Sequence, residues 1–304
     1  MSTPSMTGRV CLVTGANRGL GRATALGLAR LGATVAILGR DEAQLVRARD
    51  EMRRESGNER VSCVRIDLGS LTSVRDAATE ISHRFEAMHV LVNNAGVNLR
   101  RRATSADGYE MTLAVNHLGP FLLTTLLLPL LGAGAPSRIV TVTSRYERWG
   151  RIDFDDLELT RRYSAFRAYA RSKLANVLFT YELAERLRGS GVTANCVHPG
   201  LVATDLMRDL PRWLRALYEP FLLTKEQGAR SIVRLASAPE LEGVTGQYFE
   251  RDREARSSWR SHDPEIKERL WQVSEQLTGA TRREAGIKNK RREADDPDGP
   301  DNHR

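Results

Sequence analysis

The sequence predicts an α/β fold in which a doubly wound, mainly parallel sheet is covered by helices on both faces. Short β-branched runs alternate with longer helical segments along most of the chain. A glycine-rich turn, Thr14 to Gly21, joins the first such run to the first helical segment. The 304 residues, 41% of them hydrophobic, suffice for one sizeable core. We therefore predict a single domain over residues 1–280.

The predicted elements alternate in chain order. Strands are predicted at 9–14, 33–38, 61–66, 90–92, 138–143, 193–197 and 246–249, seven in all. Helices are predicted at 19–31, 41–56, 70–85, 108–131 and 164–188, with Asp41 capping the second. From about residue 281 the chain turns basic and then acidic, with Pro297 and Pro300. The tail at 281–304 is therefore predicted to be disordered.

The formal net charge of +8 and the sequence pI of about 9.7 raise the question of an anionic partner. The arginines are scattered and no nucleic-acid-binding motif accompanies them, so no nucleic-acid partner is predicted. Three separated cysteines, each in a predicted strand, are typical of reduced, buried thiols. No cluster has metal-ligand spacing, so no metal is predicted.

Neither a signal peptide nor a transmembrane segment is predicted. Residues 1–8 are polar, and the longest apolar stretch, 118–131, contains Pro129. That stretch is shorter than the roughly 20 residues that cross a bilayer. We therefore expect a cytoplasmic protein.

The turn between the first strand and the first helix predicts a phosphate site. Gly15 permits a tight turn, Gly19 allows close approach of a pyrophosphate, and Gly21 lets the helix pack against the strand. The N-terminus of the helix supplies free N–H groups. A glycine-rich turn without a ligand is the alternative, which the position between strand and helix disfavours. The candidate cofactor residues here are Gly15, Asn17, Arg18, Gly19, Leu20 and Gly21.

The end of the second strand indicates which dinucleotide binds. NAD enzymes commonly place an acid there to bind the ribose 2′-hydroxyl. This chain has Gly39 and Arg40 instead, and Arg18 lies within the turn, so two guanidiniums could pair with a 2′-phosphate. NADP(H) is therefore the preferred cofactor. NAD(H) stays an alternative because Asp41 is nearly in the acidic position, and Arg40 could equally be a surface partner of that acid.

Four further motifs occur in chain order, at the expected ends of predicted strands and helices. They are Asn94-Ala95-Gly96 after the fourth strand, Asn116 in the apolar helix, Ser144 after the fifth strand, and the pair Tyr169 and Lys173 on the next helix. Tyr169 and Lys173, four residues apart, share one helix face. Taken singly they could be a turn, a buried amide, a strand-end hydroxyl and a surface pair. Their joint occurrence favours one catalytic site.

Hydride transfer to a carbonyl needs these residue types. Charge builds on the carbonyl oxygen and requires a proton donor, for which Tyr169 is the candidate. A free tyrosine has a pKa near 10. A lysine ammonium about 4 Å away could stabilise the phenolate by up to about 4 kcal/mol at an effective dielectric of 20. Ser144 would donate a hydrogen bond that orients the carbonyl oxygen.

These residues resemble the short-chain dehydrogenase/reductase family over about residues 9–249. The resemblance implies a Rossmann-type domain with a seven-stranded parallel sheet. It assigns Asp67 and Leu68 to the adenine, Asn94, Ala95 and Gly96 to the adenosine ribose, and Pro199, Gly200 and Thr204 to the nicotinamide. It assigns Asn116, Ser144, Tyr169 and Lys173 to a catalytic tetrad in which the asparagine positions a water. Tyr169 and Lys173 are also predicted to bind the cofactor, Lys173 at the nicotinamide ribose.

Within the family the chain is similar to the retinol dehydrogenase-like branch. The phrases that carry this are 14–21, 115–124, 169–180 and 197–200. The branch implies NADP(H) and retinoids, lipophilic aldehydes or alcohols. The family implies a homodimer or homotetramer, formed through the helices at 108–131 and 164–188. Many members of the branch carry an N-terminal membrane anchor, which we do not expect here.

The segment at 201–224 is predicted to be a lid over a hydrophobic pocket. An apolar stripe supports it, formed by Met207, Leu210, Leu214, Leu217 and Phe221. The alternatives are a helix packed permanently on the core or on a partner subunit, and peripheral contact with a membrane aided by Arg208, Arg212 and Arg215. His198 could touch substrate or be a structural histidine.

The sequence thus predicts an NADP(H)-dependent oxidoreductase acting on a lipophilic aldehyde, ketone or alcohol. Two alternatives remain. One is a nucleotide-sensing binding protein on the same fold, and the other is an NAD(P)-dependent epimerase or dehydratase.

Overall fold

The computed structural model describes residues 5–202 and 222–281, which form one sheet with helices on both faces. The strands are β1 (Val10–Thr14), β2 (Thr34–Gly39), β3 (Val61–Arg65), β4 (Val90–Asn93), β5 (Ser137–Val142), β6 (Val192–His198), β7 (Tyr248–Glu250) and β8 (Arg253–Ala255). Their order is β3-β2-β1-β4-β5-β6-β7-β8. The first seven are parallel, which confirms the predicted fold, and β8 adds a short antiparallel edge.

Seven helices cover the sheet in the described parts of the chain. They are α1 (Gly19–Arg30), α2 (Glu42–Ser56), α3 (Leu71–Arg84), α4 (Met111–Ala133), α5 (Ala165–Arg186), α6 (Lys225–Ser237) and α7 (Pro264–Thr278). The first five lie within a few residues of the predicted helices, and Asp41 caps α2 as expected. Helices α6 and α7 were not predicted.

Two apolar cores lie on opposite faces of the sheet. One packs α3, α4 and α5 against it, and the other packs α1, α2 and α6. The central strands are buried on both faces, which accounts for their continuous apolar runs. This double cover leaves the edge at the carboxyl ends of the strands for a ligand.

Helix α7 covers the two long helices, α4 and α5. Its Trp271 is buried, with its ring 5.0 Å from Phe121 and stacked 5.9 Å from Phe179. Ser274 Oγ lies 2.9 Å from Nε2 of the buried His117. Much of the surface that was predicted to join subunits is therefore covered within one chain.

Helix α4 is long and apolar enough to cross a membrane by length and composition, with a mean hydropathy of 1.5. However, 78% of its most apolar window is buried inside the protein. It therefore serves as a core helix in this fold.

The predicted lid falls largely on residues 203–221, and the predicted tail almost wholly on 282–304, both outside the described residues. The two flanks of the lid segment meet, because Val202 bridges to Leu223 in parallel. The Leu223 N–H donates to the Leu201 carbonyl at 2.7 Å. The segment therefore leaves and rejoins the fold at one place, just beyond β6.

Candidate active site

The glycine turn after β1 is held by backbone geometry. Gly15 and Gly19 have φ of +65° and +62°, a region that favours glycine. The Gly15 N–H donates to the Leu38 carbonyl at 2.7 Å. A Cβ at Gly21 would lie 2.4 Å from both the Gly15 carbonyl oxygen and Asn94 Nδ2. Gly21 therefore packs the helix against the turn itself and against Asn94, rather than against the strand as predicted.

Helix α1 begins differently from the other helices. Of the seven α-helices within 5–202 and 222–281, it alone starts without a side-chain cap, and its first turn holds no acid. A Cβ at Gly19 would meet nothing within 4 Å. An anionic group is the natural partner for such an end, because its N–H groups and dipole favour negative charge. The turn thus fits the pyrophosphate of a dinucleotide.

The end of β4 is tied to the glycine turn. The Thr14 hydroxyl oxygen accepts from the backbone N–H groups of Asn94 and Ala95 at 2.9 and 3.0 Å. Asn94 Nδ2 donates to the Thr14 carbonyl at 2.8 Å. Asn94 therefore fixes the spacing of β1 and β4 where a ribose would lie. Thr14 was not among the predicted site residues, although it opens the glycine motif.

The residues predicted to select NADP(H) over NAD(H) lie in the glycine turn and at the end of β2. Arg40 is exposed there, and Arg18 precedes α1 with an extended backbone. The Asp41 carboxylate accepts from the backbone N–H and Nε2 of Gln44 at 3.0 and 2.9 Å. The backbone hydrogen bond lowers the pKa of that carboxyl. Asn17 joins this group, since its Nδ2 donates to Gln44 Oε1 at 2.8 Å.

The other predicted cofactor residues lie at the same edge of the sheet. Asp67 Oδ1 accepts from the Gly69 N–H at 2.9 Å, and the buried Leu68 packs its carbonyl against Gly119 of α4. Leu20, partly buried, would be 3.2 Å from a Cβ at Gly228. Beyond β6, Pro199 precedes Gly200, whose φ of +95° favours glycine. Thr204 lies outside the described residues.

Asn116 lies in a π-helical turn, Ala114–Leu118, inside α4. Such turns are rare and often occur at functional sites. Its Oδ1 accepts from the Val97 N–H at 2.7 Å, and its Nδ2 donates to the Val97 carbonyl and to Ser172 Oγ at 2.9 and 3.0 Å. The side chain therefore joins α4, α5 and the segment after β4. Gly96 belongs to this junction, because a Cβ there would lie 3.6 Å from Lys173 Nζ.

Tyr169, Lys173 and Ser144 come together at the centre of the edge. Lys173 is buried, donates from Nζ to the Val142 carbonyl at 3.1 Å, and lies 5.4 Å from the centroid of the Tyr169 ring. Ser144 follows β5 and caps the short 3₁₀ helix Arg145–Trp149. The structure therefore joins the three predicted side chains from β5 and α5.

Burial sets the protonation of this pair. It raises the pKa of the Tyr169 phenol to about 12, against a smaller lowering by the hydrogen bond with Ser144. It lowers the pKa of the Lys173 ammonium to about 8. The pKa of Tyr169 is therefore raised and not lowered as expected, because desolvation of the phenolate dominates. At neutral pH Tyr169 carries its proton and can donate it.

Sequence reasoning missed an aromatic wall beside Tyr169, formed by Tyr146, Trp149 and Phe166. The Tyr146 ring meets Tyr169 edge-on at 5.5 Å and lies 5.7 and 5.6 Å from Trp149 and Phe166. All three are exposed, Trp149 at 59%. The sequence signal for this wall was the spacing of three residues between aromatic positions, 146 to 149 and 166 to 169, which places each pair on one helix face. The wall offers an apolar surface to a substrate.

His198 fits the structural alternative. It is buried at the end of β6, and burial lowers its pKa to about 4, so it is neutral. Among the described residues, no group of three or more histidine, cysteine or acidic side chains could hold a metal ion.

Comparison with known proteins decides the family. Residues 9–215 match the family model for short chain dehydrogenase. The chain belongs to this family. It is therefore an oxidoreductase of the short-chain dehydrogenase/reductase kind, which acts on alcohols or carbonyls with a nicotinamide dinucleotide.

Curated relatives share most of the chain. It is 43% identical over 293 residues to human retinol dehydrogenase 14, covering 90% of this chain and 87% of that protein. It is 43% identical over 276 residues to human retinol dehydrogenase 12, with the same coverage. The predicted resemblance to the retinol dehydrogenase-like branch is confirmed.

Solved structures also match the fold of this chain. A putative uncharacterized protein from Mycobacterium paratuberculosis matches with a TM-score of 0.76 at 36% identity, covering 91% of this chain and 96% of that one. The Pseudomonas aeruginosa RhlG/NADP active-site complex matches with a TM-score of 0.68 at 27% identity, covering 83% and 98%.

Proposed function

We propose that the protein is an NADP(H)-dependent oxidoreductase that interconverts lipophilic aldehydes or ketones and their alcohols. The observation that carries this is the position of Tyr169, beside the buried Lys173 and against an aromatic wall. A proton donor and an apolar surface side by side suit a carbonyl on a hydrophobic chain. The retinol dehydrogenases among the relatives support retinoid-like substrates.

Each catalytic side chain has a separate task. Bound NADPH supplies the hydride. Ser144 donates a hydrogen bond to the carbonyl oxygen and orients it. Tyr169 then gives its phenolic proton to that oxygen, and the buried Lys173 ammonium stabilises the resulting phenolate by its charge. Asn116 holds α4 and α5 in register through Val97 and Ser172.

The preference for NADP(H) is supported by the end of β2. The Asp41 carboxylate is engaged in capping α2, where it accepts two hydrogen bonds from Gln44. It is therefore poorly available to a ribose 2′-hydroxyl. Arg40 is exposed next to it and Arg18 belongs to the glycine turn, so both guanidiniums lie on the side where a 2′-phosphate would bind.

The test follows absorbance at 340 nm with NADPH and with NADH against a panel of aldehydes and ketones that includes retinal. We expect consumption of NADPH on lipophilic members, and a higher kcat/KM for NADPH than for NADH. Arg40→Ala should reduce that ratio about tenfold, whereas Arg54→Ala, at the far end of α2, should not. Tight NADPH binding without turnover would instead favour a nucleotide sensor.

We also propose a cytoplasmic protein that forms a homodimer or homotetramer. Because α7 covers much of α4 and α5, such an assembly would use surface outside this cover. Light scattering on the purified chain tests it: a monomeric mass at micromolar concentration would contradict the proposal.

A further inference from the structure

The exposed large apolar side chains are not spread evenly over the described residues. There are five: Tyr146, Trp149, Phe166, Leu201 and Trp259. The first three form the aromatic wall. Trp259, 72% exposed, follows Ser258, whose N–H and hydroxyl both donate to the Glu147 carboxylate. Leu201 follows Gly200 at the end of β6. The apolar surface therefore collects around the entrance to the active site.

The same part of the surface is rich in arginine. We define the basic face as segments 145–151, 161–167 and 251–262, which contain ten arginines and three carboxylates, a net +7 in a chain of net +8. Contacts join the segments. Arg148 Nη2 donates to the Arg256 carbonyl at 3.0 Å, and the centroids of the Tyr146 and Phe166 rings lie 5.6 Å apart. Nine of the ten arginines are exposed.

Acidic residues offset part of this charge, since Glu250, which directly precedes segment 251–262, pairs with Arg145. Glu147 is buried. In the acidic loop at 153–158, Glu158 pairs with Arg102 and the Phe154 ring packs 4.2 Å beneath the Arg269 guanidinium, whereas the Asp156 carboxylate accepts from the Arg161 N–H at 3.3 Å. The basic face thus presents arginines and tryptophans together.

We propose that the basic face docks the protein onto an anionic lipid bilayer, with the active-site entrance toward the membrane. Tryptophan and tyrosine favour the membrane–water interface, where the ring is apolar and its polar atom stays hydrated. Arginines near an anionic surface are attracted by its potential. A second copy of the chain is disfavoured on this face, because the contact would set +7 against +7.

Docking in this orientation would bring the aromatic wall to the phase in which lipophilic carbonyls dissolve. That consequence depends on the proposed function, whereas binding to the bilayer does not.

The test is co-sedimentation of the full chain with vesicles of phosphatidylcholine alone, and with vesicles containing 30% phosphatidylserine. We expect binding only to the anionic vesicles, and release in 0.5 M NaCl, where the screening length falls to a few ångströms. Each arginine contributes about fivefold near an anionic surface. Arg151→Gln with Arg256→Gln should therefore weaken binding about 20-fold, and Trp259→Ala about fivefold.

Two control pairs remove the same number of charges elsewhere. Arg30→Gln with Arg54→Gln lies at the C-terminal ends of α1 and α2, away from the basic face. Lys288→Gln with Lys290→Gln lies in the basic tail. Both pairs should bind within about twofold of the unmodified protein.

The proposal would be overturned if the control pairs lost as much vesicle binding as the basic-face pair, or if Trp259→Ala left vesicle binding unchanged. So would tighter binding to duplex DNA than to anionic vesicles, weakened by the same substitutions. Reduction of a water-soluble aldehyde is followed in every variant. An unmodified protein that reduces the aldehyde but does not bind anionic vesicles would refute only the docking surface, whereas vesicle binding by a protein without reductase activity would refute only the proposed function.

Discussion

The cofactor side and the substrate side of the active site are built in opposite ways. On the cofactor side, the turn after β1 and the end of β4 are joined by short hydrogen bonds, and glycines bring backbone into close contact. On the substrate side, the 3₁₀ helix Arg145–Trp149 and the start of α5 present exposed aromatic rings that touch mainly each other.

This difference separates chemistry from specificity. A dinucleotide has fixed dimensions, so its site can be held by rigid backbone geometry. A hydrophobic chain is recognised by contact area, which rings can offer without directional bonds. Tyr169 belongs to both sides, since it lies near Lys173 and against Tyr146.

The largest effect is expected where the two sides meet. Tyr169→Phe removes the proton donor while keeping the ring against Tyr146. We expect kcat for carbonyl reduction to fall about 10²- to 10⁴-fold, with NADPH affinity nearly unchanged. Tyr109→Phe is the matched control, because its hydroxyl donates to the Leu277 carbonyl far along the chain and only stability should change. A Tyr169→Phe enzyme with normal kcat would disprove the assignment.

A methyl group on the cofactor side should act through the backbone. In Gly21→Ala the new Cβ would fall 2.4 Å from the Gly15 carbonyl oxygen, which must then move. We expect the Kd for NADPH to rise at least about tenfold and the free energy of unfolding to drop by about 1–3 kcal/mol. Fluorescence titration and chemical denaturation measure the two quantities.

Gly132→Ala is the control for that substitution. Gly132 lies in α4 with nothing within 4 Å of its Cβ position, so alanine should stabilise the helix by up to about 1 kcal/mol and leave NADPH binding intact. Equal NADPH affinities in the two variants would show that the turn is more compliant than its contacts imply.

The cofactor side could be predicted from sequence because its signals are local. Gly15, Gly19 and Gly21 lie within seven residues and adjoin a strand with a clear apolar run. The substrate side could not, because its rings come from segments about 20 residues apart that only tertiary packing joins. The protonation of Tyr169 was also out of reach, since it depends on burial rather than on spacing.

The two helices that were not predicted, α6 and α7, were missed for different reasons. Helix α6 starts at the capping box of Thr224 and Gln227, directly after a segment interpreted as a lid. Helix α7 carries a readable start, since Asp263 caps it and Pro264 is its first residue. Its effect on α4 and α5 was not readable, because only the fold shows Trp271 buried between Phe121 and Phe179.

The pH dependence of reduction tests the buried lysine that links the two sides. Burial lowers the pKa of Lys173 to about 8, so its ammonium is charged below that pH and loses its proton above it. Loss of the charge removes the stabilisation of the phenolate left by Tyr169. We expect kcat/KM for reduction to fall about tenfold per pH unit well above pH 8. Lys173→Met should be slow at every pH and lack this limb, and a limb that persisted in it would belong to another group.

The smallest effect is expected on the substrate side and depends on the substrate. Trp149→Ala removes an exposed ring of the aromatic wall, so the fold should be unaffected. If about 40 Å² of apolar contact with a long-chain aldehyde is lost, at about 25 cal/mol per Å², KM rises about fivefold while kcat is retained. A short, water-soluble aldehyde does not reach the ring and should show no change. Trp259→Ala, outside the wall, should leave both substrates unaffected when no membrane is present. An equal rise in KM for short and long aldehydes would mean that Trp149 supports the shape of the entrance and does not contact the aldehyde chain. The substrate side would then also depend on fixed geometry, held by the Glu147 carboxylate, which joins the 3₁₀ helix to Ser258.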